Sequence, residues 1–250
     1  MQILMTKAAC ERVRGRVATI APDVEIVAAV SAEAYERDGR PIAVEDIDPE
    51  VVWLSLDSWT SGTLGPLFGR LMKADAPRWT QIMAAGIDNP MFRSIMEKGV
   101  RISKSSAQAT PIAEYVVAHA LSLQVPIRAQ AELQARHEWK STPYRELGRT
   151  RWVLVGFGNI GHEIARRIKP FGVDLTVVRR NPQPDSLADR VVGMADLAGL
   201  LPEADVIVLA CALNDETRAM CDAAFFQALK PGAILINIGR GGLVDEDALR

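Results

Sequence analysis

Along the first hundred residues, short apolar and β-branched runs alternate with segments whose apolar positions recur at helical spacing. The runs are QILM, VEIVAAV, VVWLSLD, WTQIMAA and VRISKS, and NPMFRSIMEKG carries the helical pattern between the last two. Such alternation predicts a parallel α/β layer, and a first domain is placed at residues 1–106. The next stretch, from Ala109 to Lys140, has helical periodicity through Ile112, Tyr115, Val116 and His119, with Pro111 suited to an early helical position. Pro126 removes a hydrogen bond and clashes with the preceding turn, so two helices or one kinked helix are expected there. After STPYRELGRT the alternation resumes: RWVLVG, a helix, VDLTVV, a short helix around MADLAGLL, ADVIVLA, the helix CDAAFFQALK and AILINIG. Residues 107–250 therefore read as a long helical segment followed by a doubly wound, nucleotide-binding type of domain.

Composition narrows the class. The 250 residues are 48% hydrophobic and 24% charged, with a formal net charge of −2 and both signs interspersed. A basic stripe or charge block is lacking, which argues against nucleic acid or a membrane surface as partner and favours a small molecule. Three cysteines, Cys10, Cys211 and Cys221, are too few and too ill-spaced for a disulfide framework or a zinc site, so no metal is expected and a reducing cytoplasm is the expected address. The N-terminal stretch does not have the order of a signal peptide.

The sharpest local motif is VLVGFGNIG, in which Gly156, Gly158 and Gly161 form G-x-G-x-x-G between a strand and the helical pattern HEIARRI. Gly156 suits a tight turn, Gly158 lets backbone approach a pyrophosphate, and Gly161 lets the helix pack on the strand, leaving N–H groups at the helix start to face the anion. With Asn159 and Ile160 these are the candidate phosphate-binding residues. An NAD site usually has Asp or Glu at the end of the second strand, about 20 residues on, to accept from the ribose 2′-hydroxyl. Here that strand ends in Arg179 and Arg180. Guanidinium groups can hold a 2′-phosphate by charge-assisted hydrogen bonds, so NADP(H) is expected over NAD(H). The alternative is that both arginines are ordinary solvated charges, the role assumed for Arg166 and Arg167.

Together, TPIAEYVVAHAL, ELGRTRWVLVGFGNIG, LPEADVIVLACALNDETRAM and LKPGAILINIGRGGLVDEDAL resemble the D-isomer-specific 2-hydroxyacid dehydrogenase family, from about Trp79 onward, and within it the NADP-dependent glyoxylate/hydroxypyruvate reductase branch. The resemblance implies two flavodoxin- or Rossmann-like α/β domains with parallel sheets, an active-site cleft between them, and hydride transfer between NAD(P)(H) and a small 2-keto or 2-hydroxy acid. It implies that Ala85 and Gly86, in AAGIDN, offer backbone N–H groups to the substrate carboxylate, with Asn89 or Asp88 starting the next helix. Arg240, in GRGG, matches the family's catalytic arginine. A guanidinium fork can contact both carboxylate and keto oxygen while stabilising charge that grows on that oxygen. The flanking glycines, Gly239 among them, suit a close approach of backbone to the nicotinamide. Cys211, Ala212 and Leu213 imply a wall beside the adenosine, with Thr217 contacting the cofactor or capping the next helix.

The family's proton donor, a histidine held by a glutamate, lies past the arginine motif, and His119, His137 and His162 do not match it. Each is expected to be structural or solvent-exposed. The 250 residues are accordingly read as part of a longer chain. The resemblance also implies a homodimer formed through the dinucleotide domain and the long helix, a surface that a buried intrachain helix would imitate. A non-catalytic nucleotide-sensing protein on the same fold is the competing class, and relatives acting on phosphite, formate or phosphoglycerate share the same motifs.

Overall fold

A computed structural model describes all 250 residues except Ala85 and Asp88. It divides into two compact units, Met1–Ala107 and Gln108–Arg250.

In the first unit, β1 (Gln2–Thr6) feeds α1 (Lys7–Ile20), whose start is capped by the Thr6 hydroxyl accepting from the Ala9 N–H at 3.1 Å. Then come β2 (Glu25–Ala29), β3 (Tyr35–Arg37), β4 (Arg40–Ile42), β5 (Val51–Leu54), α2 (Leu56–Thr60), α3 (Leu64–Lys73), β6 (Trp79–Ile82), α4 (Pro90–Glu97) and β7 (Arg101–Ser103). The sheet runs β4-β3-β2-β1-β5-β6-β7. Strands β2, β1, β5, β6 and β7 are parallel in the flavodoxin-like order. The β3–β4 hairpin is an antiparallel addition that the apolar runs did not predict. Its signal is the Asp38-Gly39 pair, both at positive φ (51° and 75°), the combination that a tight hairpin turn requires. Leu4, Val27, Val52, Leu54, Ile82, Leu67, Leu71 and Ile95 form the core on one face of this sheet. Asn89 does start α4, its side chain accepting from the Met91 N–H at 2.9 Å.

The second unit begins with α5 (Ala109–Gln124) and α6 (Ile127–Ala135), broken at Val125-Pro126 as the proline requires. It continues with β8 (Arg151–Val155), α7 (Asn159–Ile168), β9 (Asp174–Val178), β10 (Arg190–Val192), α8 (Leu197–Leu200), β11 (Val206–Leu209), α9 (Ala223–Ala228), β12 (Ile234–Asn237) and α10 (Glu246–Leu249). The five strands are parallel in the order β10-β9-β8-β11-β12, which in sequence reads third, second, first, fourth, fifth. Strand β10 was not predicted; three residues of RVV are too short a run to show above their surroundings.

Alternation along the strands assigns each residue to one of two covering layers. Trp152, Leu154, Leu175, Val177, Val206 and Val208 face α5 and α7, whereas Val153, Val155, Val178, Ile207 and Leu209 face Leu197, Leu201, Phe225 and Leu243. Both faces of β11 are thus buried, and VIVL reads as a continuous apolar run for that reason. The stripe by which α5 joins this core is Ala113, Val116 and Ala120, all fully buried. Tyr115 and His119, in the periodicity read from the sequence, lie off that stripe, exposed and packed on each other with ring centroids 4.1 Å apart. Small side chains make the seam because they let the backbone of α5 approach α7 closely. Among the described residues no helix is long and apolar enough to cross a membrane.

Candidate functional site

The glycine loop sits where β8 turns into α7. Gly156 has φ +99°, and a Cβ there would fall 2.6 Å from the backbone carbon of Ala210 and the nitrogen of Cys211. Only glycine satisfies both the left-handed conformation and the contact with the turn after β11. A Cβ on Gly161 would lie 2.6 Å from the Gly156 carbonyl oxygen, so α7 can pack on the strand only because that atom is missing. Gly158 is the contrast: a Cβ there would have nothing within 4 Å. Its missing side chain leaves open space in front of the helix.

Helix α7 starts on Gly158 with no side-chain cap. Glycine in place of a capping side chain costs only a few tenths of a kcal/mol, which the complete burial of Ile164 and Ile168 offsets at roughly 1.5–3 kcal/mol each. The helix is therefore stable with an uncapped N-terminus, whose N–H groups and positive dipole end suit a pyrophosphate. An open cradle before an uncapped helix fits a dinucleotide.

Two further turns lie at the same end of the sheet. The turn after β11 holds Cys211, Ala212 and Leu213 and then a polar knot. The Thr217 hydroxyl donates to the Ala212 carbonyl at 2.8 Å and accepts from the Asn214 N–H at 2.9 Å, while the Asn214 side chain accepts from the Glu216 and Thr217 N–H groups at 3.0 Å. Thr217 is buried and braces this turn. It does not cap the next helix, because α9 begins several residues later under the Asp222 carboxylate, which accepts from the Phe225 N–H at 2.9 Å.

The turn after β12 carries Arg240. Asn237 shapes it, accepting from the Gly239 N–H at 3.0 Å and donating to the Arg240 carbonyl at 2.9 Å. Arg240 is exposed, and its guanidinium donates to the Gly239 carbonyl at 3.0 Å. The glycine before it has a packing reason of its own. A Cβ on Gly239 would lie 2.7 Å from the Leu243 side chain and 2.9 Å from the Cys211 carbonyl. Internal packing therefore demands glycine at 239, while Gly241 faces open space. The turns after β8, β11 and β12 lean on one another through Gly156, Ala210–Cys211 and Gly239.

The end of β9 supplies the charges. Arg179 continues the strand, its N–H donating to the Val192 carbonyl at 3.0 Å, and the Arg180 guanidinium lies 3.4 Å from the Glu216 carboxylate. His162, on the first turn of α7, has three partners: its ring packs on Phe157 with centroids 4.0 Å apart, its Nδ1 lies 3.0 Å from the Gly158 carbonyl oxygen, and its Nε2 lies 3.4 Å from Asp185. The Asp185 carboxyl is held below the usual carboxylate range, chiefly by the Leu187 N–H, with help from His162 and Arg179. Arg166 and Arg167 are not simply solvated, since both pair with Glu163 and Arg167 also faces Glu114. Burial pushes the Cys211 thiol up, and the Cys221 thiol up to about 12, so neither is a thiolate nucleophile near neutral pH.

Of the remaining expected residues, Gly86 lies in the described loop after β6, and Ala85 falls outside the described residues. Glu216 and Asp185 were not singled out from the sequence. Glu216 is 36 residues from Arg180, and no local pattern announces the pairing.

An open parallel sheet in this strand order, with a glycine turn after its first strand and an uncapped helix behind it, defines a Rossmann-type α/β protein. The chain belongs to the D-isomer specific 2-hydroxyacid dehydrogenase family, whose NAD binding domain model matches residues 117–250. It is 32% identical over 174 residues to the glyoxylate reductase/hydroxypyruvate reductase of Mus musculus, covering 67% of this chain and 53% of that protein. The chain thus spans about half the length of the curated relatives it matches. Among solved structures, a D-isomer specific 2-hydroxyacid dehydrogenase family protein from Aeromonas salmonicida superposes with TM-score 0.78 at 27% identity, over 99% of this chain and 76% of that one. An NADPH-dependent glyoxylate/hydroxypyruvate reductase from Sinorhizobium meliloti, in complex with NADP and sulfate, shares the fold with TM-score 0.75 at 22% identity, over 99% and 75% of the two chains.

Proposed function

We propose that the complete protein is an NADPH-dependent reductase of small 2-keto acids of the glyoxylate or hydroxypyruvate type. The observation that carries this reading is the placement of Arg240 at the carboxyl end of the sheet that bears the Gly156–Gly161 loop, joined to it through the turn at Ala210–Cys211. Open α/β sheets bind ligands at that end. When bound, the dinucleotide supplies the hydride. The backbone of Gly158, Asn159, Ile160 and Gly161 meets its pyrophosphate, Arg179 and Arg180 meet a 2′-phosphate, and Cys211, Ala212, Leu213 and Gly239 border the rest.

Arg240 pairs with the substrate carboxylate and stabilises the charge that develops on the keto oxygen. Ala85 and Gly86 keep the role of backbone donors to the carboxylate that the family motif implies. On this reading Met1–Ala107 is the substrate domain and Gln108–Arg250 the dinucleotide domain. A cytoplasmic homodimer belongs to the same proposal; three free cysteines support the compartment, and light scattering tests the dimer.

The decisive experiment follows NADPH oxidation by the full-length protein over a panel of small 2-keto acids. Turnover is expected, with Arg240→Gln lowering kcat/KM by about 10²–10³-fold, the usual cost of losing one oxyanion-stabilising donor. Dinucleotide binding without turnover on any acid would overturn the enzyme reading in favour of a nucleotide-sensing protein.

A further inference from the structure

The arginines at the end of β9 do not form a purely cationic pocket. Arg180 lies 3.4 Å from Glu216, and Arg179 acts on Asp185, so two cations face two carboxylates. The carboxylates are held differently. Asp185 accepts from the Leu187 N–H at 3.0 Å and faces His162, which ties it to the protein whether or not a ligand arrives. The Glu216 side chain is 76% exposed and pairs with Arg180. The backbone beneath it is held rigid by the Asn214–Thr217 knot, so a change at Glu216 is a change of side chain only.

Resting on the proposed NADP-binding role of Arg180, we propose that Glu216 is a specificity-determining residue that lowers the preference for the phosphorylated dinucleotide. Its carboxylate occupies the Arg180 guanidinium as an internal anion, which a ribose 2′-phosphate must displace. A 2′-hydroxyl makes no such demand. The unphosphorylated cofactor therefore loses nothing to Glu216, whereas the phosphorylated one must break the ion pair and then sits beside a repelling carboxylate. An exposed ion pair contributes up to about 1 kcal/mol, so its removal is worth about fivefold at most.

The test is equilibrium calorimetry of NADP+, NAD+, 2′,5′-ADP and 5′-AMP binding to the full-length protein. Glu216→Gln keeps the shape and removes the charge. It should tighten NADP+ and 2′,5′-ADP about three- to fivefold at low salt and leave NAD+ and 5′-AMP within about twofold. The gain should vanish in an Arg180→Gln background. An unchanged NADP+ affinity in Glu216→Gln, with wild type still preferring NADP+ over NAD+, overturns the role of Glu216 alone. No preference for NADP+ over NAD+ in either wild type or Glu216→Gln overturns both this proposal and the arginine assignment beneath it. Equal tightening of all four ligands also overturns it, since that marks a general field effect. An unchanged melting curve checks that the variant is folded.

Discussion

The two ends of the five-stranded sheet use charge in opposite ways. At the amino end, where β8, β11 and β12 begin, Asp205 is nearly enclosed, with its side chain 12% exposed. Its carboxylate accepts from Arg145 at 2.7 Å, from Lys230 at 2.6 Å and from the Arg151 N–H at 2.7 Å, while its own backbone bonds to Arg151 and Ile234. Burial alone pushes this carboxyl upward, but Lys230, the Arg151 N–H and Arg145 together hold it below the ordinary range. At the carboxyl end Arg180 and Arg240 are exposed, the helix start is uncapped and Gly158 faces empty space. One end encloses its carboxylate in a closed set of partners and holds the strands together; the other carries its arginines at the surface. The lesson is that a buried charge with every partner built in is a structural device, whereas the exposed arginines at the other end are where we propose that a ligand is met.

The largest expected effect marks the limit of that division. Gly156 lies at the carboxyl end, yet Gly156→Ala forces a left-handed alanine into backbone atoms 2.6 Å away. It should cost about 3 kcal/mol or more of stability, read by denaturant unfolding, as well as weaken dinucleotide binding. A variant as stable as wild type would show that the turn after β11 yields easily.

Next is the amino end itself. Asp205→Asn should destabilise by about 1–3 kcal/mol near neutral pH while leaving dinucleotide affinity unchanged. The sign of its pH dependence follows from the depressed carboxyl. The stabilisation is fully present above the unfolded-state value of about 4 and is lost as pH falls through the lower folded value. The gap in Tm between wild type and variant should therefore narrow on acidification below about pH 4. A gap that widened instead would locate the acid-sensitive group elsewhere.

The smallest change in stability is expected at Gly158. Gly158→Ala meets nothing within 4 Å and its φ is −87°, so the unfolding free energy should move by no more than about 0.5 kcal/mol. The same methyl would stand where the pyrophosphate approaches, and the Kd for NADP+ should rise about tenfold or more, as 1.4 kcal/mol of lost contact implies. Asp205→Asn and Gly158→Ala thus form a crossed pair. Should both variants lose stability and affinity together, the two ends of the sheet would not be separable.

Most of the second unit was legible because its signals are local. Buried strands show as apolar runs, Pro126 breaks a helix through its own ring, and the G-x-G-x-x-G spacing places each glycine in a turn whose geometry depends on its neighbours. The hairpin at Asp38-Gly39 was also legible in principle and was passed over, because its strands are too short to alternate visibly. The seam of α5 was not legible for a different reason: period alone offers several possible stripes, and the one used is chosen by the close approach of α7 to Ala113, Val116 and Ala120. Asp205, Glu216 and the packing reason for Gly239 left no local mark, since their partners lie elsewhere in the chain.

By itself, then, the sequence determined the α/β class, the glycine loop after β8, the cationic end of β9 and the arginine after β12, all properties of residue type and short spacing. Only the tertiary structure decided which charges are enclosed among built-in partners and which lie at the surface. Strand order brings Glu216 to Arg180 and Arg145 to Asp205 across 36 and 60 residues, and electrostatic pairing depends on distance in space.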